Sequence, residues 1–64
     1  MGGYALPVLG APVRCRATGI DGIVVCHEVW LDRTPRVGIQ REGVDQNGMP
    51  WEIHWQFPRW LETV

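Results

Sequence analysis

From Thr18 onward the chain alternates short β-rich runs with clusters of Gly, Asp, Asn and Pro, and nowhere repeats apolar residues at helical spacing. Val13, Cys15 and Ala17 fall at every second position with Arg14 and Arg16 between them, so the spacing predicts a strand over roughly 13–17. Thr18-Gly19-Ile20-Asp21-Gly22 reads as a bend whose two glycines supply positive φ. A second strand is expected over about 22–31. It is apolar at both parities through Ile23, Val24, Val25 and Cys26, which suits a bent strand shared between the two halves of a barrel. Asp32-Arg33-Thr34-Pro35 reads as a turn, since Pro35 cannot donate to a ladder. The third strand, from Arg36 to about Glu42, sends Val37 and Ile39 inward and Arg36, Gly38 and Gln40 outward. Asp45-Gln46-Asn47-Gly48 then carries the Asn-Gly hairpin signal.

The fourth strand, about 51–57, puts Trp51, Ile53, Trp55 and Phe57 on one side and Glu52, His54 and Gln56 on the other. Pro58 stops it, and RWLETV suits one 3₁₀ turn and a short closing strand with Leu61 and Val64 turned to the core. The expected fold is all-β: a small five-stranded SH3-like antiparallel barrel over residues 11–64, after a loose arm or short edge strand at 1–10. Its core is expected to be Val13, Val24, Val37, Ile39, Ile53 and Trp55.

Sixty-four residues make one domain and no more. A chain this short buries only about 60% of its unfolded surface, and disulfides, a metal or self-association are the usual sources of extra stability. Six basic residues, all Arg, face seven acidic ones, a balance that argues against a generic polyanion binder. The absence of Lys is explained most simply by GC-rich codon usage; an interface demanding planar, forked donors is the sharper alternative. No apolar run has membrane-spanning length and the start lacks a signal-peptide pattern, so a cytoplasmic protein is expected. Leu6 stands where a myristoylation start prefers Ser or Thr.

Candidate chemistry is sparse. A hairpin symmetric about residues 20 and 21 would set Cys15 opposite Cys26, both facing the core, where a disulfide is conceivable; in a reducing compartment two buried thiols are the expectation. A zinc site from Cys15, Cys26, His27 and His54 lacks the close ligand pairs structural zinc uses. The chain has no Ser, and a Glu28–Glu52 carboxylate pair reads as solvated strand residues, so no enzyme, metal or cofactor is expected.

The outward rows carry more information. Arg14, Arg16, Arg36, Gln40, Glu52, His54 and Gln56 are expected to form one polar sheet face flanked by Trp30 and Trp60, and arginine with aromatics is what dominates binding interfaces. The expectation is a non-enzymatic binding or assembly module that associates with itself or with a protein partner. A small-barrel nucleic-acid binder is the alternative, with Arg14, Arg16, Arg36 and Arg41 on phosphates and exposed Trp stacked on bases. Asp21, Glu28, Glu42 and Glu52 oppose it.

The string TG-x-x-GI, the pair Trp30-Leu31, RV-x-IQ at 36–40, NG-x-P at 47–50 and LE-x-V at 61–64 together resemble small uncharacterised proteins of phages, prophages and other mobile elements, integron cassettes included. That resemblance spans roughly 10–64 and implies an SH3-like barrel of mobile-element origin, with no activity attached. A weaker similarity is to plasmid-borne type II dihydrofolate reductase, a tetrameric SH3-like barrel. It rests on a Gly before Val13-Arg14, a Gly-x-Ile/Val bend and Leu61-Glu62. That family's Val-Gln-Ile-Tyr pore motif would fall on Ile53-His54-Trp55-Gln56, three of whose four positions differ in size or chemistry, so its site is not carried over.

Overall fold

The computed structural model describes residues 6–64 and arranges them as five antiparallel strands in one sheet. These are β1 (Pro12–Cys15), β2 (Asp21–Trp30), β3 (Arg33–Gln40), β4 (Ile53–Gln56) and β5 (Leu61–Thr63), with a 3₁₀ turn at Pro58–Trp60 before the last. Their order across the sheet is β4-β3-β2-β1-β5. The all-β class stands. The sheet is not closed: β4 and β5 are its two edges, and no ladder joins them among the described residues.

β1 reverses into β2 more tightly than a symmetric hairpin would. The Cys15 amide donates to the Ile20 carbonyl (2.9 Å) and the Gly19 amide to the Cys15 carbonyl (2.7 Å). Gly19 takes φ +78°, open to glycine because it has no Cβ. The resulting register sets Val13 opposite Gly22 and Arg14 opposite Asp21, so Cys15 does not face Cys26. Gly22 is not a turn residue but a buried strand position, where an added Cβ would lie 2.9 Å from the Gln40 carbonyl oxygen.

β2 carries the next departure. Val24 pairs with Ile39, but Cys26 pairs with Gly38, so one extra residue, Val25, is taken up between them. A bulge of this kind turns every later side chain to the other face. Cys26 therefore points away from the core that Cys15 enters, and no bond between them is geometrically available. The β2–β3 turn falls on Leu31-Asp32, not on 32–35. Pro35 lies inside β3, where a second register shift separates the Glu28–Arg36 and Trp30–Arg33 pairs, and its missing N–H interrupts no regular ladder.

The loop at 45–48 does form, through different chemistry from an Asn-Gly turn. Asp45 Oδ1 accepts from the amides of Asn47 (2.8 Å) and Met49 (3.0 Å), and Gly48, not Asn47, takes positive φ. β4 begins only at Ile53, in unbroken register with β3: Gln56 opposite Val37, Trp55 opposite Gly38, His54 opposite Ile39 and Ile53 opposite Gln40. Directly opposed residues share a face. His54 and Gln56 thus lie on the core side with Ile39 and Val37, while Ile53 and Trp55 lie outside, which inverts the expected parity.

The core is Val13, Val24, Val37 and Ile39, each at most 1% exposed, with Leu6, Ala11, Ile20 and Leu61 packed around it. Burying each such side chain contributes roughly 1.5–3 kcal/mol, a modest total for a whole domain. Val64, expected inside, is exposed. The end of the N-terminal arm is docked: the Gly10 amide donates to the Val24 carbonyl (2.8 Å), and His27 Nε2 donates to the Pro7 carbonyl (2.7 Å). The rest of the expected arm, residues 1–5, lies outside the described residues.

Candidate interaction surface

The outer face of β2, β3 and β4 is built in three rows. Ile23, Gln40 and Ile53 form the first, Cys26, Gly38 and Trp55 the second, and Glu28 with Arg36 the third. Gly38 makes the middle row work, because a Cβ there would lie 2.5 Å from Cys26 Sγ, 2.9 Å from Ile53 Cγ2 and 3.3 Å from Trp55 Cζ3. Without that Cβ, Ile53 and Trp55 lie down over β3. Even so they remain 43% and 42% exposed.

Arg36 organises the lower edge of this patch. Its Nε donates to Glu28 Oε1 at 2.6 Å while its guanidinium stands 5.6 Å from the centre of the Trp55 ring. A hydrogen bond from the Trp30 side chain, and then that from Arg36, holds the Glu28 carboxyl below the usual carboxylate range. Beyond this pair the β2–β3 hairpin ends in Val29, Trp30 and Leu31, all exposed, with Leu31 wholly in solvent. Arg33 covers the Trp30 ring at 5.0 Å.

The same device recurs at every indole. Arg41 lies 5.1 Å from the Trp51 ring, and Arg59 lies 5.7 Å from that of Trp60 and 5.4 Å from that of Phe57. Phe57 and Trp60 meet edge to face at 5.4 Å. A planar guanidinium stacks on a ring face as an ammonium cannot, and each such contact contributes about 0.5–1 kcal/mol at an exposed site. Four of the six arginines, Arg33, Arg36, Arg41 and Arg59, stand over an aromatic ring.

The nine residues singled out from the sequence do not form one continuous face, and Glu52 is exposed in the loop just before β4. Arg36 and Gln40 stay outside, but His54 and Gln56 are on the core side, where Gln56 Oε1 accepts from Cys15 Sγ at 3.3 Å. Gln40 is a clip: its Nε2 donates to the Trp51 carbonyl at 2.6 Å and holds the following loop. Arg14 is bound to Asp21 at 2.7 Å and stands opposite Glu62. That hydrogen bond, ahead of the charge itself, raises Arg14 and lowers Asp21. Arg16 donates to the Arg59 carbonyl at 2.6 Å. Trp30 is exposed at the hairpin tip and Trp60 half-buried beside Phe57. The four arginines considered for phosphate contact (Arg14, Arg16, Arg36 and Arg41) are thus each engaged elsewhere in the chain.

Sequence reasoning placed Gly38 outward, as found, but missed Ile53, Trp55 and Cys26 as members of the outer face. For Cys26 the one trace in the sequence was the apolar run Ile23–Cys26, where alternation breaks and the bulge falls. Among the described residues no three His, Cys, Asp or Glu side chains converge as metal ligands, and no helix is long and apolar enough to cross a membrane. An open cleft of about 360 Å³ between β1, β2 and Arg41-Glu42 includes Asp21, already tied to Arg14, and carries no Cys, His or Ser. Comparison with protein-family models, with curated proteins and with solved structures gives no match to the chain.

Proposed function

We propose that this chain is a non-enzymatic binding and assembly module whose partner is a second copy of itself, engaged at the β4 side of the outer face that β2, β3 and β4 form. The observation that carries the reading is the pair Ile53 and Trp55, adjacent and nearly half exposed on a face kept flat by Gly38. An apolar centre rimmed by the Glu28–Arg36 pair has the anatomy of an interface: aromatic and aliphatic anchors inside, charge outside. The small core supports it too, since a domain this size gains stability by covering such a patch.

We assign the sheet to the SH3-like class; the order β4-β3-β2-β1-β5 and the 3₁₀ turn before the last strand support that assignment. A mobile-element origin rests on the residues of that resemblance. Two free thiols fit a reducing, cytoplasmic setting.

Sedimentation velocity over a wide concentration series, at low and high salt, tests the reading. Association that grows with concentration, changes little with salt and weakens in Trp55→Ala is expected, because apolar contact is not screened. A monomer at every concentration overturns it, as does steeply salt-sensitive capture of single-stranded DNA by the monomer.

A further inference from the structure

We propose that two copies join edge to edge along β4, antiparallel, with His54 on the two-fold axis, a geometry that rests on the self-association proposed above. β4 is a four-residue edge strand, and between Ile53 and Gln56 it has neither charge, proline nor bulge to discourage pairing. Its register with β3 runs unbroken through four consecutive pairs. The opposite edge is different. β5 has three residues, and its central Glu62 carries a charge and faces Arg14.

A strand that pairs with its own copy in antiparallel sense closes on a two-fold axis, so the contact is self-limiting. Directly opposed residues share a face, and an axis perpendicular to the sheet preserves that face for both copies. Two registers satisfy this within the strand. With His54 on the axis, Ile53 of each copy lies opposite Trp55 of the other, and Glu52 opposite Gln56. The four exposed apolar side chains then form one cluster on the outer face. With Trp55 on the axis, Ile53 lies opposite Phe57, whose ring already packs edge-on against Trp60 at 5.4 Å. Phe57 is also where the chain leaves the sheet for the 3₁₀ turn, its carbonyl accepting from the Trp60 amide at 3.0 Å. The first register uses only residues that are free to pair.

Four residues of edge are short beside a standard interface of about 800 Å² per partner, so the contact is weak and concentration-dependent. Cysteine cross-linking reads the register directly. A symmetric disulfide needs Cα atoms about 4.4–6.8 Å apart, which the residue on the axis meets. In a Cys26→Ala background, His54→Cys should oxidise to a covalent dimer at least several-fold faster than Trp55→Cys or Thr63→Cys. In parallel, Ile53→Lys should lower the associated fraction by an order of magnitude while its circular dichroism is unchanged, and Leu31→Lys should leave association intact.

A parent protein that is monomeric throughout removes both this geometry and the self-association beneath it. Fastest cross-linking at Trp55, or at Thr63 on the far edge, rejects this register. A parent that associates but is insensitive to Ile53→Lys and broken by Leu31→Lys moves the contact to the hairpin tip and rejects both the β4 edge and the outer-face surface, while self-association itself stands.

Discussion

Replacing Gly38 with alanine is expected to destabilise the fold, and a second substitution should undo much of the damage. The new Cβ would stand 2.5 Å from Cys26 Sγ and 2.9 Å from Ile53 Cγ2. Ile53 is exposed and can swing outward, whereas Cys26 is a short side chain fixed on the neighbouring strand. Overpacking of this sort costs roughly 1–3 kcal/mol. Alanine recovers about 0.5–1 kcal/mol over glycine in a strand interior, since Gly38 does not need positive φ. The net loss is about 1–2 kcal/mol, and for a domain of this size each kcal/mol lowers Tm by about 4–8 °C. Cys26→Ala removes the closest clash, so the double variant should be more stable than the sum of the single effects by about 1 kcal/mol. Thermal melts of the four proteins, followed by circular dichroism, close the cycle. Strict additivity, or a Gly38→Ala protein as stable as the parent, would refute the packing argument.

Gly22→Ala should be worse, and rescue should fail there, because its Cβ meets the Gln40 backbone at 2.9 Å; the same melts would show a larger drop that no neighbouring truncation reverses. Stability should fall in acid. Glu28 and Asp21 have lowered carboxyl pKa values, so what they contribute is complete above the ordinary carboxylate range and disappears as pH drops through their depressed folded values. Urea midpoints of Glu28→Gln against parent should differ at neutral pH and converge at low pH; a constant difference would count against the ion pair. Thiol titration should find Cys15 unreactive until unfolding and Cys26, half-buried on the outer face, reacting earlier; equal rates would contradict their placement on opposite faces.

The parts of the fold that were legible in the sequence are those where period-two alternation meets a regular ladder. Val37 and Ile39 read as inward because β3 alternates cleanly where it pairs with β4, and Val13 followed from the same rule, whereas Val24 stood in a run apolar at both parities. Reading failed where the register shifts. One bulge residue, Val25, reversed Cys26, and alternation alone does not reveal it. At β4 the rule that apolar residues point inward failed outright. Gly38 leaves a hollow on the outer face that accepts Ile53 and Trp55, while the core side is already filled by β1, β2, Leu61 and the docked Leu6. Gln56 tolerates its inward position because Cys15 gives it a hydrogen-bonding partner. The candidate site was half legible. Arg36 and Trp30 were found from composition, but their neighbours depended on a parity that only tertiary packing decides.

The guanidinium over each indole makes the four tryptophans separate local reporters. They lie at the hairpin tip, on β4, in the loop after β3 and in the 3₁₀ turn, so single-tryptophan versions of the protein would give emission signals from four different places. Exchanging an arginine for lysine to install a dye would strip the cover from one ring, and the spectrum of that region would change before any label was attached.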